Sequence, residues 1–319
     1  MNAALIINVE SGRDALTRLR GHDPETFRQA FTEAGFKGPV SFVRGDGVEA
    51  MMERRASEGH DRVIVGGGDG TISTAAATAV RQGITLGVLP LGTCNHFARD
   101  LGVPRGWKEA MTWLQEATKG RVDLGEVNGH VFINNVSVGL YPRMVRKRNK
   151  ERLSQRWGRR LGSALALIKT LWRFRLLDLQ MEYADTVLDF RTPFLFVGNN
   201  TYSGDLLAHA NRSSLTGGHL WACTASVRGP MGLWRVAWRA LRAKPERIEK
   251  LNTVKAGELV VRMGEGERLV AIDGEVLSLE SPLRFRSKQG ALKILVRSAE
   301  SHASGSDLRT SPSLAPRLP

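Results

Sequence analysis

Residues 62–71 read RVIVGGGDGT, an apolar run that ends in three consecutive glycines followed by Asp-Gly-Thr. The apolar part predicts a buried strand, and the alanine-rich residues 72–81 predict a helix directly after it. Glycine backbones adopt unusual conformations and approach a ligand closely, because no Cβ stands in the way. The turn after residue 65 is therefore expected to bring main-chain N–H groups and a helix N-terminus together around an anion such as phosphate.

The same alternation of strand and helix extends over the first third of the chain. Apolar runs predict strands at residues 3–8, 40–43, 62–65 and 85–89, and helical spacing predicts helices at 24–34, 48–58 and 72–81. Strands that alternate with helices favour a parallel sheet covered on both faces, and such sheets bind ligands at the carboxyl ends of their strands. Residues 1–122 are thus predicted to form an α/β nucleotide-binding domain.

From residue 122 onward the pattern changes to short strands separated by Gly, Asn and Ser. The predicted strands cover residues 131–138, 179–183, 194–198, 219–224, 259–263, 269–272, 283–286 and 292–296. This pattern predicts a mostly antiparallel β-sandwich domain over 123–297. Two basic helical insertions are expected within it, near 142–175 and 230–250. Residues 298–319 are rich in Ser, Ala and Pro without periodicity, and they predict a disordered tail.

Composition restricts the class of protein and of partner. The 319 residues include 46 Lys and Arg against 32 Asp and Glu, a net charge of +14, which points to an anionic partner. Only Cys94 and Cys223 are present, so a disulfide framework is excluded, and no Cys/His spacing suits structural zinc. No signal peptide and no apolar run of about 20 residues is visible. We therefore expect a cytoplasmic protein whose contact with a membrane is peripheral.

Asp69 is the most informative residue of the glycine turn. A carboxylate beside bound phosphate is repulsive unless a divalent cation lies between them, which suggests a nucleotide bound with Mg²⁺. The alternative is that Asp69 only caps the next helix, as aspartate often does. The turn matches neither the G-x-G-x-x-G nor the G-x-x-x-x-G-K-[ST] pattern, so the usual dinucleotide and Walker interpretations do not apply.

A second segment, residues 89–102, reads LPLGTCNHFARDLG and again joins a strand to a helix. Thr93 and Asn95 place a hydroxyl and an amide at the start of that helix. They can contact a nucleotide, or they can simply cap the helix, and the two roles can coexist. In a parallel sheet the two strands are neighbours, so both segments are expected at the same edge.

Together the two segments resemble the catalytic domain of the soluble diacylglycerol kinases, bacterial lipid kinases that share their fold with sphingosine and ceramide kinases. The resemblance covers about residues 3–297. GGDGT alone would also admit NAD kinase, but the longer second segment is not an NAD kinase pattern. The resemblance implies that ATP and Mg²⁺ are bound, and that the γ-phosphate passes to the hydroxyl of a membrane lipid, foremost diacylglycerol. A sphingoid base, ceramide or NAD as acceptor is the alternative.

The resemblance also implies which residues bind the nucleotide. The family's N-P-x-S-G turn is Asn8-Val9-Glu10-Ser11-Gly12 here, with valine in place of proline. The implied contacts are Asn8, Ser11, Gly12, Gly67, Gly68, Asp69, Gly70, Thr71, Thr93 and Asn95, with Asp69 acting on the metal through water. The family often has a nucleotide-binding threonine after the second strand, and residues 42–44 contain none.

For catalysis, the resemblance implies that a D-G-E motif supplies the general base. Here the motif is Asp273-Gly274-Glu275. Residues two apart on a strand share a face, so either carboxylate could support the other. We favour Glu275 as the base with Asp273 supporting it, although the sequence does not separate them. Taken alone, Asp-Gly is more typical of a hairpin turn.

A structural Mg²⁺ is a doubtful part of the resemblance. Relatives commonly hold this ion with an Asp-Gly-Leu segment in the β domain, and residues 216–220 read TGGHL, without the aspartate. Asp205 could serve another role.

The basic insertions suggest a membrane surface as partner. Residues 143–175 contain twelve Lys and Arg against one Glu, beside an apolar stripe of Leu161, Leu165, Ile168 and Trp172. Residues 230–250 repeat the combination with Trp234, Trp238 and Leu241. Such helices bind anionic membranes, or they pack on the β domain with their cations in solvent. Nucleic acid is not expected, because neither zinc-finger spacing nor an RNP-like aromatic motif is present. A basic protein that binds nucleic acid or membrane without enzymatic activity is the alternative to a kinase. The oligomeric state is not readable.

Overall fold

Two large sheets, of ten and six strands, contain most of the strands in the described part of the chain. The structure is a computed structural model that describes residues 2–11, 24–139, 142, 176–203, 211–225 and 251–297. The predicted basic insertions, except for residue 142, and the predicted tail lie outside the described residues. The same holds for Gly12 and Asp205.

The N-terminal half forms the parallel part of the ten-stranded sheet, in the order β2-β1-β3-β4. Its elements are β1 Ala4–Asn8, α1 Pro24–Glu33, β2 Val40–Val43, a 3₁₀ turn Gly45–Gly47, α2 Val48–Ser57, β3 Arg62–Gly67, α3 Asp69–Gln82, β4 Thr85–Pro90, α4 His96–Asp100 and α5 Trp107–Gln115. The predicted parallel α/β architecture is confirmed. β1, β3 and β4 are almost wholly buried because helices cover both faces, which is why they read as continuous apolar runs.

The C-terminal half is antiparallel, as predicted. Its strands are β5 Thr118–Val127, β6 His130–Phe132, β7 Asn135–Gly139, β8 Leu177–Tyr183, β9 Thr186–Thr192, β10 Phe194–Asn199, β11 Tyr202–Ser203, β12 Asn211–Arg212, β13 Leu220–Ala225, β14 Leu251–Ala256, β15 Glu258–Arg262, β16 Glu267–Ile272, β17 Glu275–Glu280 and β18 Leu283–Val296. The six-stranded sheet has the order β14-β13-β10-β7-β16-β17. It faces β8, β15 and β18 across a core that includes Val138, Met181, Leu195, Val261 and Phe285. Alternate residues of both sheets supply this core, as in a β-sandwich.

Strand β18 joins the two halves of the chain. It pairs in parallel with β4, through Ile294 and Leu86, and in antiparallel fashion with β5 and β15. Its register shifts between Lys288 and Leu292, so the two strands predicted at 283–286 and 292–296 are one bulged strand. The predicted boundary after residue 122 lies inside β5. The C-terminal residues Leu292 and Ile294 belong to the core of the parallel sheet.

The strand predicted over 131–138 is two strands, β6 and β7, separated by a turn at Ile133 and Asn134. That turn directs its main-chain N–H groups at a carboxylate, so they cannot take part in a sheet ladder. Strands β5, β9, β11, β12, β14 and β17 were not predicted. β9 and β17 were missed because they mix polar and apolar residues at largely exposed positions. Among the helices of the described residues, none is both long enough and apolar enough to cross a bilayer.

One glycine of β5 is required by packing alone. Gly125 lies opposite Phe132, and a Cβ on Gly125 would lie 2.1 Å from an atom of the Phe132 ring. Because Phe132 is fully buried and cannot move outward, Gly125→Ala is expected to lower the free energy of unfolding by about 1–3 kcal/mol. Urea unfolding measures this. Gly257→Ala is the control, since a Cβ there meets nothing within 4 Å. Equal stabilities of the two variants would contradict the prediction.

Candidate active site

The loops that follow β3 and β4 touch each other through their glycines. A Cβ on Gly92 would lie 2.5 Å from the Gly68 Cα, so the two main chains are in van der Waals contact. The main-chain N–H of Leu91 also donates to the carbonyl of Gly67, at 3.0 Å. The two segments singled out in the sequence therefore form one surface at the carboxyl edge of the parallel sheet.

Asn8 and Ser11 hold the glycine turn in place through hydrogen bonds to Gly68 and Thr71. The Asn8 amide donates to the Thr71 hydroxyl at 2.8 Å, and the Ser11 and Thr71 hydroxyls are 3.2 Å apart. The main-chain N–H of Gly68 donates to the Ser11 hydroxyl, also at 3.2 Å. Asn8 and Ser11 are both 5% exposed. These contacts make the two residues part of the scaffold of the turn, and their direct contact with nucleotide stays a prediction.

Helix α3 begins in this turn, with Gly68 as its N-cap and Asp69 as its first residue. Gly67 must remain without a side chain, because a Cβ there would lie 2.4 Å from the Thr71 methyl group. The first N–H groups of a helix have no partner inside it, and the helix dipole adds positive potential there. The start of α3 can therefore bind an anion.

The Asp69 carboxylate links the two loops. Its Oδ1 accepts a hydrogen bond from the main-chain N–H of His96, the first residue of α4, at 2.7 Å. Asp69 therefore binds the start of α4 and not the start of its own helix. The N-cap of α3 is Gly68, so the sequence alternative, in which Asp69 caps the helix directly after the glycine turn, is wrong. Among the described residues, none donates to Oδ2, and carboxylate oxygen is the ligand type that Mg²⁺ prefers. The donor set at Asp69 therefore fits a nucleotide-bound Mg²⁺ as well.

Asn95 and Thr93 have different surroundings. Asn95 adopts φ +49°, and its side chain bonds to both the N–H (2.9 Å) and the carbonyl (2.8 Å) of Gly92. Asn95 occupies the N-cap position of α4, but its side chain makes no capping bond to that helix and shapes the loop instead. Thr93 is exposed at the tip of the same loop, where a ligand can reach its hydroxyl.

Asp273 accepts hydrogen bonds from both halves of the chain. Its Oδ1 accepts the main-chain N–H groups of Asn134 (2.8 Å) and Asn135 (3.0 Å). Its Oδ2 accepts the N–H of Ile133 (2.8 Å) and the hydroxyl of Ser73 on α3 (2.7 Å). A carboxylate has about four acceptor positions, and all four are occupied. Asp273 therefore holds the D-G-E turn against α3 and has no oxygen left for a substrate proton.

Glu275, at the start of β17, differs from Asp273 in both its exposure and its hydrogen bonding. It is exposed, and none of the described residues donates a hydrogen bond to its carboxylate. A Cβ on Gly70 would lie 3.4 Å from Glu275 Oε1, so this carboxylate lies over the first turn of α3. The two acidic residues of the D-G-E motif are therefore not equivalent, and only Glu275 is placed to receive a proton beside the anion site.

The pH dependence of stability can test the surroundings of Asp273. Burial of its carboxylate raises the pKa above 3.8, against the opposing effect of its hydrogen bonds. Between 3.8 and the raised value the native protein binds more protons than the unfolded chain, so the free energy of unfolding falls as pH rises. Urea unfolding at pH steps from about 4 to 7 is expected to show this slope in the wild type and to lose it in Asp273→Asn. Identical slopes would contradict the prediction.

Residues 216–220 lie beside the Asp123 carboxylate, and a structural Mg²⁺ there stays an untested expectation. The nearby Asp123 carboxylate accepts N–H groups from Asn200 (3.2 Å), Gly218 (2.7 Å) and Gly290 (2.8 Å). Nowhere in the described ranges do three or more His, Cys, Asp or Glu side chains gather as a possible metal site. By accepting these N–H groups, the Asp123 carboxylate links the loop of residues 216–220 to the bulge of β18.

Three features of the site were not found from the sequence. Ser73 is one of many small residues on α3. Nothing in the sequence marks Arg212, whose buried side chain on β12 donates to the carbonyl of Ile133. The turn at 133–135 did carry a signal, because two asparagines interrupt an apolar run there.

Comparison with known proteins gives a consistent result. The family model for the diacylglycerol kinase catalytic domain matches residues 2–127. A "Probable lipid kinase YegS-like" of Pseudomonas savastanoi pv. phaseolicola is 33% identical over 274 residues, which cover 80% of this chain and 82% of that protein. The "Diacylglycerol kinase" of Bacillus subtilis is 29% identical over 280 residues, 86% of this chain and 89% of the relative.

The fold agrees with these relationships. A crystal structure of a diacylglycerol kinase from Bacillus anthracis superposes with a TM-score of 0.65 at 23% identity, covering 93% of this chain and 97% of that one. The paired glycine loops, the D-G-E turn fastened to α3 and the relatives over four fifths of the chain lead to one conclusion. The chain belongs to the diacylglycerol kinase catalytic-domain family of lipid kinases, and it is a kinase.

Proposed function

We propose that this kinase transfers the γ-phosphate of ATP to the hydroxyl group of diacylglycerol, giving phosphatidic acid, with Glu275 as the general base. The observation that carries the proposal is the position of the exposed Glu275 carboxylate over the first turn of α3. A relative named diacylglycerol kinase, related along 89% of its length, supports the choice of lipid.

The anion site orients the nucleotide. The N–H groups at the start of α3 and the glycine backbone of residues 67–70 bind its phosphates, and the Thr93 hydroxyl adds a contact from the second loop. Asp69 would hold Mg²⁺, which neutralises charge on the phosphates when it is bound. Phosphoryl transfer needs positioning and charge neutralisation more than covalent chemistry, and these residues provide both.

The lipid hydroxyl oxygen forms a bond to the γ-phosphorus while the bond from that phosphorus to the bridging oxygen of ATP breaks, releasing ADP. The hydroxyl proton passes to the Glu275 carboxylate. Asp273 does not accept the proton of the substrate hydroxyl. It fixes the D-G-E turn so that Glu275 faces the nucleotide.

We propose further that the reaction takes place at an anionic membrane surface, with the protein bound peripherally on the cytoplasmic side. The net charge of +14 supports this, since each cation near such a surface contributes about 1 kcal/mol of attraction. Twelve of the cations lie within residues 143–175, which are outside the described residues.

The test offers labelled ATP with diacylglycerol, ceramide or a sphingoid base in mixed micelles, and with NAD in a parallel assay. Labelled phosphatidic acid from the wild type, and little or none from Asp69→Asn, is the expected result. Label on ceramide or the sphingoid base alone would overturn the choice of lipid while leaving a lipid kinase. Label on NAD alone would overturn the lipid acceptor altogether.

A further inference from the structure

Arg212, on β12, is a buried cation that the proposed mechanism does not use. Its side chain is 0% exposed, and its Nε donates to Asp100 Oδ2 at 2.7 Å. Its guanidinium also lies 5.4 Å from the centre of the Phe97 ring. Both partners belong to α4, the helix that follows the second glycine loop. A buried charge needs such partners, but they use only part of the guanidinium.

The remaining N–H groups of Arg212 face the turn that holds Asp273. One donates to the carbonyl of Ile133, and another donates to the Asn134 side-chain oxygen at 3.2 Å. The Ile133 carbonyl and the Asn134 N–H belong to a single peptide group, and that N–H donates to Asp273. The cation and the carboxylate therefore bind opposite ends of one peptide dipole, which strengthens both hydrogen bonds.

Tyr202 repeats the arrangement at the next peptide group. Its hydroxyl donates to the Asn134 carbonyl at 2.9 Å, and the Asn135 N–H of the same peptide donates to Asp273 at 3.0 Å. Burial raises the pKa of Tyr202 to about 12, so the hydroxyl stays protonated and remains a donor.

We infer that Arg212, assisted by Tyr202, is a positioning residue for phosphoryl transfer. It polarises the peptide groups that hold Asp273, and through Asp273 it sets Glu275 over α3. Because Arg212 also binds Asp100, one side chain links α4 to the turn at Ile133 and Asn134 that holds Asp273. The inference rests on the proposed role of Glu275 as base.

The test measures kcat and KM for ATP in Arg212→Met, Arg212→Lys and Tyr202→Phe, each in the wild-type and the Asp273→Asn background. Arg212→Met is expected to lower kcat about 100-fold with KM for ATP changed less than about threefold, because the base is displaced while the anion site remains. Arg212→Lys should recover part of the loss, since it keeps the charge. Tyr202→Phe, which loses one hydroxyl, should lower kcat about fivefold.

The decisive comparison is between the two backgrounds. If Arg212 acts through Asp273, Arg212→Met lowers kcat less than about threefold when Asp273 is already asparagine. If Arg212 were purely structural, Arg212→Met would lower kcat by the same factor in the wild-type and the Asp273→Asn backgrounds. The control is Arg55→Met, which removes a mostly buried arginine that binds Ser41 and Glu58, with kcat expected to stay at the wild-type value.

Two results would overturn the inference: equal factors in both backgrounds, or wild-type kcat in Tyr202→Phe and Arg212→Lys. Circular dichroism shows whether Arg212→Met is folded, and if it is not, Tyr202→Phe in the two backgrounds decides. The Glu275→Gln variant separates the two proposals. If it is inactive while the Arg212 and Tyr202 variants are normal, only this inference fails. If Glu275→Gln is fully active, the proposed base fails.

Discussion

Glu275→Gln is expected to lower kcat for lipid phosphorylation by about 10²–10⁴-fold, the usual contribution of a general base. Glutamine keeps the size and polarity of the side chain but cannot accept the hydroxyl proton. Since Glu275 lies over α3 without a described hydrogen-bond donor, its loss leaves the fold unchanged. We therefore expect KM for ATP and the unfolding midpoint to stay near their wild-type values. Steady-state kinetics with labelled ATP and urea unfolding measure both.

The contrast with Asp273→Asn tests the division of roles. Asparagine would point an NH₂ group at donors that now meet a carboxylate oxygen, so at least one of the four hydrogen bonds is lost. This variant is expected to lose stability together with activity. Glu280→Gln, at the exposed end of β17, is the matched control and should change neither. Wild-type kcat in Glu275→Gln, combined with a stable but inactive Asp273→Asn, would reverse the assignment.

The parallel half of the fold could be predicted because its strands are buried on both faces and bounded by glycines. β1, β3 and β4 therefore read as uninterrupted apolar runs. The antiparallel half was predicted less completely, since edge strands such as β9 bury only part of their length. The pairing of β18 with β4 joins residues more than 200 positions apart, and no local pattern reports such a contact.

The candidate site also has features that local sequence patterns predict and others that they do not. Glycine turns after strands are local features, so the region of Gly67, Gly68 and Gly92 could be located from the sequence. The contacts that distinguish Asp273 from Glu275 are not local: Ser73 is 200 residues from Asp273, and the turn at 133–135 is about 140 residues away. Sequence spacing places the two carboxylates in one motif. Only the fold shows that one of them is saturated with donors.

Gly92→Ala is expected to weaken ATP binding strongly, because the added Cβ would collide with neighbouring atoms and not because the backbone would be strained. Gly92 has no positive φ, but its Cβ would lie 2.5 Å from the Gly68 Cα and 2.7 Å from Asn95 Oδ1. The neighbour at 2.5 Å is main chain and cannot rotate away, so the two loops must separate. We expect KM for ATP to rise at least about tenfold, because displacing positioned groups by about 1 Å has effects of this size or larger. Overpacking should also lower the free energy of unfolding by about 1–3 kcal/mol.

Gly70→Ala distinguishes this mechanism from a general sensitivity of the loop to added volume. The atom nearest to a Cβ on Gly70 is Glu275 Oε1, at 3.4 Å, the end of a flexible side chain. The glycine loops therefore stay in contact in this variant, while Glu275 shifts by a few tenths of an ångström. Gly70→Ala should act mainly on kcat, by displacing Glu275, and should raise KM for ATP less than Gly92→Ala, which acts mainly on KM for ATP. If both variants change the two constants in the same proportion, the loop contact does not organise the anion site.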